Sequence, residues 1–417
     1  MAHLPQHPDP SGPSRAARHK AVIAVVWAQF GAYHVDRCEA LGRRLSGHRD
    51  VLAVEVASAS TSYAWQPSGA IAGGAEKVTL FPGRRFEDIP QISRLVALTR
   101  VLRRCETVFL GLGYGTVDAV ILAWVLRLLG VRVVLMTDSK AEDRPRNVVF
   151  EAIKRAALWP HRAAIVAGQR QIDYLRGLGF RRRPVLPGYD GVSVARVRLE
   201  AGCEPAPDGT AFADRPFLFV GRFVEKKNIP VLIDAYAAYI ARAGTGARPL
   251  HLAGSGPLDA ALKAKVERLG LGDKIRFLGF LDSAGTSRAM GGALALILPS
   301  TVEQWGLVVN EAVAVGLPIL ASFPVGARDL LVRDGVNGFS FDPADHQAIA
   351  AAMHALAGDE ALWRRMATAS RDLAWLGDCD RLVDAVEVLL DPTASAARAG
   401  VDRVLAAFPP AQSSSAR

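Results

Sequence analysis

The chain has 417 residues, of which 50% are hydrophobic and 22% are charged, so it can bury the cores of two domains of ordinary size. Residues 1–200 carry 29 Lys and Arg against 17 Asp and Glu, whereas residues 201–417 carry 21 against 24. The basic first half favours an anionic partner, such as an anionic membrane surface or a lipid-linked phosphate, although an Arg-rich composition alone would give the same balance. No nucleic-acid partner is expected, because aromatic residues are not interleaved with the basic ones.

The cysteines and the apolar segments indicate the compartment. Four scattered cysteines form no Cys-x-x-Cys pair, which argues against a zinc site or a disulfide framework and for a reducing cytoplasm. Residues 1–19 are polar and lack the apolar core of a signal peptide, so we expect a disordered extension there. The most apolar window, Ala119–Met136, is broken by two arginines and a glycine, which favours a helix, a turn and a strand over a membrane span. We therefore expect a cytoplasmic protein that is soluble or peripheral at the inner face of the membrane.

The first domain is predicted to span residues 20–190 and to open with a buried parallel strand at Ala21–Trp27. Gly31 follows in the first strand-to-helix loop, where a glycine can let a backbone N–H approach a phosphate. Tyr33 and His34 lie near the carboxyl end of this strand, where open α/β sheets bind ligands, so both are acceptor-side candidates. A histidine close to a helix start can equally be structural.

Further strands and helices alternate along this half. Val51–Val56 predicts a second strand. The helix Ile89–Arg103 and the adjoining Arg104 together carry four arginines, which suit either a membrane surface or simple solvation. The strand Val108–Leu110 runs into a glycine turn, and we place Tyr114 near the ligand cleft. Thr116 stands where a dinucleotide fingerprint needs its third glycine, which argues against a dinucleotide oxidoreductase.

The end of this half places a carboxylate beside the predicted cleft. Asp138 directly follows the predicted strand Arg132–Met136, at the strand's carboxyl end. It could equally cap the next helix or order the charged loop behind it. Residues 191–215 are rich in Gly, Pro and Ala, which predicts a linker between two domains.

The second domain is predicted to begin with the strand Phe217–Gly221. Arg222 and Lys227 follow it, five residues apart on one loop, so both cationic groups can converge on one diphosphate. Gly254 comes after the strand Leu250–Ala253 in a glycine turn. Leu281 comes after the next strand, where the backbone can contact a nucleotide base.

A strand, a polar loop and a helix follow at Leu294–Val315. The N–H groups of Gly306 and Leu307 lie at the start of this helix, which favours an anion there. Glu303 and Glu311 flank that position, and carboxylates accept hydrogen bonds from hydroxyl groups. An anion site between two hydroxyl acceptors suits a sugar nucleotide, although both glutamates could also be solvated residues of a helix start.

Two motifs resemble a known family. The segment Glu303-Gln-Trp-Gly-Leu-Val-Val-Asn-Glu311, followed by Gly-Leu-Pro318, resembles the E-x7-E segment of retaining GT-B glycosyltransferases of family 4. The segment from Arg222 to Asn228 resembles the G-R-L-x-x-x-K-G motif of that family, with Phe223 and Asn228 replacing Leu and Gly. The resemblance is strong over residues 217–343 and weaker over residues 20–190.

The resemblance implies an α/β fold of GT-B architecture, in which two Rossmann-like domains face each other across a cleft. Residues 216–376 are then the donor domain, and residues 377–391 form a helix that packs back on the first domain. Residues 392–417 are expected to be a mostly flexible tail with one short helix.

The resemblance also implies a function. A retaining enzyme of this kind would move a hexose from a UDP- or GDP-sugar to a hydroxyl of a glycan, lipid-linked or small-molecule acceptor, in the synthesis of cell-surface glycan, polysaccharide or glycolipid. The resemblance implies that Glu311 binds the ribose hydroxyls and that Glu303 binds the hydroxyls of the sugar. It also implies that Asp138 lies beside the transferred sugar and that Gly31 faces the diphosphate. Because cationic side chains would neutralise the diphosphate, no metal and no other cofactor is expected. The alternatives are a GT-B epimerase or hydrolase of the sugar nucleotide, and a non-catalytic binding protein.

Overall fold

The structure is a computed structural model that describes residues 20–61, 68–143 and 146–409. The expected N-terminal extension lies outside these residues. Within them, short apolar runs form two parallel sheets, each with helices packed on it. Such runs favour parallel strands because both faces of each strand are buried.

The first sheet has seven parallel strands in the order β3-β2-β1-β4-β5-β6-β7. Side chains of β1 alternate between its two faces: Ile23 and Val25 belong to one core cluster, and Ala24 and Val26 belong to another. The strands are β1 (Ala21–Trp27), β2 (Arg49–Ala59), β3 (Ala75–Arg85), β4 (Thr107–Leu110), β5 (Arg132–Thr137), β6 (Ala163–Val166) and β7 (Val185–Pro187). The helices of this part are α1 (Ala32–Leu45), α2 (Gln91–Leu102), α3 (Val117–Leu128), α4 (Val148–Leu158) and α5 (Gln169–Gly177).

The second sheet has six parallel strands in the order β10-β9-β8-β11-β12-β13. Its strands are β8 (Phe217–Val220), β9 (Leu250–Ala253), β10 (Ile275–Gly279), β11 (Ala295–Leu298), β12 (Ile319–Ser322) and β13 (Gly338–Phe341). Its helices are α7 (Ile229–Ala243), α8 (Asp259–Arg268), α9 (Ser283–Gly291), α10 (Val308–Ala314), α11 (Arg328–Leu331), α12 (His346–Gly358) and α13 (Glu360–Leu373). In each sheet the strand order reverses direction beside the first strand of that sheet, β1 or β8. Such a reversal opens a crevice at the carboxyl ends of the strands.

The segment predicted as a linker, residues 191–215, contains helix α6 (Val194–Ala201). The Ser193 hydroxyl caps this helix by accepting the Arg196 N–H at 3.1 Å, and Val197 is fully buried in the core of the second domain. Helix α6 packs against α9, so this segment is a packed part of the second domain rather than a free connection.

The C-terminal region also differs from the expectation of a mostly flexible tail. Helix α14 (Asp380–Leu390) packs against α1 and the first sheet, and helix α15 (Ser395–Ala407) packs on α14. Ala397, Val401 and Val404 repeat at helical spacing and are buried, which explains why this segment is helical. Among the described helices, none is both long and apolar enough to span a bilayer.

Candidate active site

The crevices of the two sheets meet in one cleft of about 830 Å³. Loops that follow strands of both sheets line it: Gln29 follows β1 and Gly111 follows β4, while Arg222 follows β8 and Glu303 follows β11. Both domains therefore contribute side chains to a single site at the carboxyl ends of their strands.

The second-domain side of the cleft is cationic. Arg222, Lys226 and Lys227 all line it, so the predicted pair is joined by a third cation that the motif alone did not single out. The backbone at Gly254 lies so close to this loop that an added Cβ would stand 1.9 Å from the Gly221 carbonyl oxygen. Gly254 also has a φ of +144°, so a glycine is required where these two loops meet beside the cations.

Lys227 and Glu303 form an ion pair in which each side chain is only 12% exposed. The Ser300 hydroxyl also donates to Glu303 Oε2 at 3.2 Å. The two residues that sequence analysis assigned to the diphosphate and to the sugar are therefore direct neighbours. Any ligand that engages one of them changes the environment of the other.

The loop that carries Glu303 is fixed by buried hydrogen bonds. Trp305 Nε1 donates to Asn310 Oδ1 at 2.9 Å, and Asn310 Nδ2 donates to the carbonyl oxygens of Asp190 (2.8 Å) and Gly377 (3.0 Å). Gly306 has a φ of +100° and lines the cleft with Leu307. Among the described residues, no backbone carbonyl accepts the N–H group of either Gly306 or Leu307. Both amides can therefore donate to a ligand in the cleft.

Asp138 lines the cleft from the first domain. Burial raises its pKa to about 6, and the negative charges of Asp143 and Glu303 act in the same direction, while Arg37 opposes them. Gln171 Nε2 donates to the Asp138 carbonyl oxygen at 3.1 Å and to the Gln304 carbonyl oxygen at 3.3 Å. This amide therefore links the Asp138 loop to the Glu303 loop.

Lys140 is a second bridge between the domains, and sequence analysis did not predict it. Its ammonium group is buried, donates to the Glu303 carbonyl oxygen at 2.7 Å and pairs with Asp143 Oδ1 at 3.1 Å. A lysine two residues after a cleft aspartate is too common a pattern to indicate such a contact. The bridge arises only when the two domains meet.

Arg37 is the other important residue that sequence analysis missed. Its side chain is 1% exposed, pairs with Asp190 Oδ1 at 3.1 Å and lies over the rings of Tyr33 and Tyr189, at 5.0 and 5.1 Å from their centroids. Arg37, Tyr33 and Asp190 all line the cleft. The sequence offered only a weak indication of this role, because Arg37 is a charged residue on a face of α1 whose other residues are buried in the first domain.

His34 and Gly31 pair with each other at the start of α1. The Gly31 N–H donates to His34 Nδ1 at 3.0 Å, so this histidine nitrogen carries no proton. Burial, together with the charge of Arg37, holds the pKa of His34 well below its usual value, which keeps the ring neutral. His34 lines the cleft, whereas Gly31 does not, and the Gly31 N–H is already bonded to the His34 ring.

The remaining predicted site residues divide between the cleft and its surroundings. Leu281 lines the cleft, whereas Tyr114 packs beside Ser139 in a separate core cluster. Glu311 does not line the cleft either: it lies one helical turn behind Leu307 and Val308. Burial raises its pKa to about 7, Arg196 opposes that effect, and Asp36 and Glu200 add to it.

Among the described residues, one group of three potential metal ligands lies at Asp378, Cys379 and Asp380, at the start of α14. It is outside the cleft lining. The Asp378 carboxylate already accepts the N–H groups of Val194 (3.1 Å) and Asp380 (2.9 Å), which explains its place by capping and packing.

Comparison with known proteins agrees with this geometry. Residues 211–373 match the family described as "Glycosyl transferases group 1". The glycogen synthase of Mycobacterium tuberculosis is 33% identical over 193 residues, which are 44% of this chain and 44% of that protein. The chain spans about a third to a half of the length of the first curated relatives that it matches.

Solved structures extend the likeness to both domains. Sucrose-phosphate synthase from Thermosynechococcus elongatus aligns with a TM-score of 0.65 at 19% identity, covering 90% of this chain and all of that chain. Anabaena HepE, solved in complex with UDP and glucose, aligns with a TM-score of 0.65 at 17% identity, covering 89% and 99%. These likenesses confirm the predicted fold class, since two parallel-sheet α/β domains face one cleft. The chain thus has the GT-B fold, and residues 211–373 of its second domain match the glycosyl transferases group 1 family.

Proposed function

We propose that the protein is a metal-independent glycosyltransferase that moves a sugar from a nucleoside diphosphate sugar to an acceptor hydroxyl. The observation that carries this proposal is the convergence of Arg222, Lys226 and Lys227 with Glu303, opposite Asp138, in one interdomain cleft. Cations suit a diphosphate, and carboxylates suit the hydroxyls of a sugar.

In this proposal the cations and the amides of Gly306 and Leu307 bind the diphosphate. Negative charge on the leaving phosphate grows as the bond to the anomeric carbon breaks, so these groups stabilise the transition state more than the bound substrate. Lys227 then contacts a phosphate group, while Glu303 accepts a hydrogen bond from a sugar hydroxyl. Glu311, one turn behind the cleft lining, is assigned to the ribose by the family resemblance.

Transfer is proposed to retain the anomeric configuration. The acceptor oxygen bonds to the anomeric carbon on the face that the diphosphate leaves, and the acceptor proton passes to the departing phosphate oxygen. Asp138 lies on the opposite wall, and its ionised carboxylate accepts a hydrogen bond from a substrate hydroxyl. The test is the stereochemistry of the product: an inverted linkage, read from NMR coupling constants, would contradict this step.

The donor is proposed to be a UDP- or GDP-sugar, with UDP supported by the ligand of the Anabaena neighbour. A nucleotide that binds only the native protein raises the melting temperature. Thermal unfolding with UDP, GDP and ADP should give a shift with one of them, and Arg222→Ala should abolish it. No shift with any nucleotide would contradict the donor site. Sugar nucleotide consumed without an acceptor would favour an epimerase or hydrolase instead.

The acceptor is proposed to be presented at an anionic membrane surface, as a step in glycan or glycolipid synthesis. Helix α4 supports this: Val148, Val149, Phe150 and Ile153 expose 85, 66, 64 and 58% of their surface. At the C-terminal end of α4, Trp124 stacks on Trp159 at 5.0 Å, and the Arg127 guanidinium lies 4.5 Å above the Trp159 ring. Exposed apolar and aromatic groups beside cations suit a lipid interface, and the excess positive charge of the first half adds attraction to anionic lipids.

A further inference from the structure

A second cavity, of about 490 Å³, lies between the edge of the first sheet and the C-terminal helices. Five of its twelve lining residues are arginines, and none is acidic. The arginines come from β5, from α5 and the segment that follows it, and from α15: Arg132, Arg176, Arg181, Arg183 and Arg398. We call this cavity the arginine pocket.

The arginine pocket is separate from the cleft. Arg132 is the first residue of β5, and Asp138 follows the last residue of that strand. Six residues of extended chain span about 20 Å, so the pocket lies at the amino ends of these strands and the cleft lies at their carboxyl ends. Strand β7 shows the same arrangement. Its first residue, Val185, lines the pocket, and Tyr189, which follows its carboxyl end, lines the cleft.

Two of the arginines are held rigidly. Arg132 Nη1 donates to the Leu389 carbonyl oxygen at 2.6 Å. Arg183 donates to the carbonyl oxygens of His161 (2.7 Å) and Gly179 (3.1 Å), and its guanidinium lies 3.7 Å above the Phe180 ring. Carbonyl oxygens orient a guanidinium but supply no full negative charge. The charges of these two arginines are therefore fixed in place without being neutralised.

The other three arginines are exposed at the rim. Arg176 pairs with Asp173 at 3.5 Å, but both side chains are more than half exposed, so the pair is weak. Arg181 and Arg398 form no ion pair with any described residue. Five like charges around one cavity repel one another, and an anion inside the cavity would relieve that repulsion.

We propose that the arginine pocket binds a phosphate-bearing anion with at least two negative charges. Guanidinium groups bind phosphate bidentately, and the cavity has the size of a small-ligand site. Apolar walls from Val388, Leu389 and Pro392 leave room for the uncharged part of the same molecule. This chemistry fits both a free phosphorylated metabolite and the headgroup of an anionic lipid. The inference does not depend on the proposed sugar transfer.

The test uses inorganic pyrophosphate as the probe, with the ionic strength held constant. Because the cleft also offers cations, all measurements use the Arg222→Ala/Lys227→Ala background. Pyrophosphate should raise the melting temperature, and the added pair Arg181→Gln/Arg398→Gln should weaken its binding at least tenfold. The matched pair Arg103→Gln/Arg104→Gln, exposed and outside the pocket, removes the same charge and should leave binding unchanged.

A shift that is absent, or that both pairs weaken equally, would overturn the proposal. If the pocket pair does not fold, Arg398→Gln alone should still weaken binding severalfold, and unchanged binding in that variant would overturn it. A second arm identifies the source by sedimentation with phosphatidylcholine vesicles that contain cardiolipin, a lipid whose headgroup carries two phosphate groups. Vesicle binding lost with the pocket pair assigns a lipid headgroup, whereas loss of pyrophosphate binding alone assigns a free phosphorylated molecule.

Discussion

Lys227 forms an ion pair with Glu303 on the second-domain side of the cleft, joining loops that are 76 residues apart in sequence. Each side chain keeps only 12% of its surface exposed, so neither charge is well solvated. The pair therefore holds both groups in place, and a bound sugar nucleotide would supply new partners of the matching kind: phosphate for the lysine and hydroxyl for the glutamate.

Removal of one diphosphate cation should slow transfer. We expect Lys227→Ala and Arg222→Ala each to lower kcat by roughly 10²–10³, as the loss of a single oxyanion donor does. Steady-state kinetics and thermal unfolding of the same samples separate catalysis from folding. Lys263→Ala is the control, since Lys263 is exposed and lies outside the cleft lining. Near-normal turnover in either cleft variant would remove that residue from the site.

The ion pair should also appear as energetic coupling. In a double-mutant cycle of Lys227→Ala and Glu303→Gln, each single change leaves one charge poorly solvated, while the double change removes both. We expect a coupling free energy of roughly 0.5–3 kcal/mol in urea unfolding. Additive effects of the two changes would mean that the pair contributes nothing to stability.

The regular part of the fold could be predicted from local sequence. The expected strand Ala21–Trp27 coincides with β1, because a short apolar run can only be buried on both faces. Strand β3 was missed because it is a half-exposed edge strand that contains Pro82 and Gly83. Helix α4 was missed because its apolar side chains face solvent, so its pattern matches no core.

The candidate site could be predicted only where its residues are close in sequence. Arg222, Lys227 and Glu303 stand in motifs with fixed spacing, and all three line the cleft. Arg37 and Asp190 are 153 residues apart, and Lys140 lies 163 residues from Glu303, so no spacing rule connects them. Gly31 differs from these residues: its position in sequence suits a phosphate contact, but in the structure its N–H donates to His34 Nδ1.

Asn310 should prove important for both stability and turnover. Asn310→Leu would leave the buried Trp305 N–H and the Asp190 carbonyl oxygen without a partner, whereas the Gly377 carbonyl oxygen would still accept the Val192 N–H at 3.0 Å. Each such group costs roughly 1–3 kcal/mol, so we expect a loss of at least that size in urea unfolding, with a lower kcat because the Glu303 loop loses its anchor. Asp345→Ala, which removes a cap of α12, should cost about 1 kcal/mol and leave kcat unchanged. Unaltered turnover in Asn310→Leu would contradict the anchoring role.

Activity should depend on the ionisation of Asp138. Because its pKa is raised to about 6, kcat/KM should rise with pH through about 6 and then level off, as the ionised form becomes available. Asp138→Asn should remove this rising limb and lower the rate at neutral pH. The raised pKa also affects stability. Between about pH 4 and pH 6 the folded protein holds a proton on Asp138 that the unfolded chain has lost, so the free energy of unfolding decreases as the pH rises through this range. A pH–rate profile that keeps its inflection in Asp138→Asn would assign it to another group.

The exposed apolar face of α4 should bind lipid. Phosphatidylcholine vesicles that contain phosphatidylglycerol should sediment the protein, and Val149→Ser/Phe150→Ser should weaken this binding severalfold because both side chains are more than 60% exposed and would enter the interface. Thermal unfolding should be nearly unchanged, since neither side chain is buried in the folded protein. Val336→Ser is the control, as Val336 is 54% exposed on the second domain, away from α4. If the α4 variant binds vesicles as the wild-type protein does, α4 is not the membrane contact.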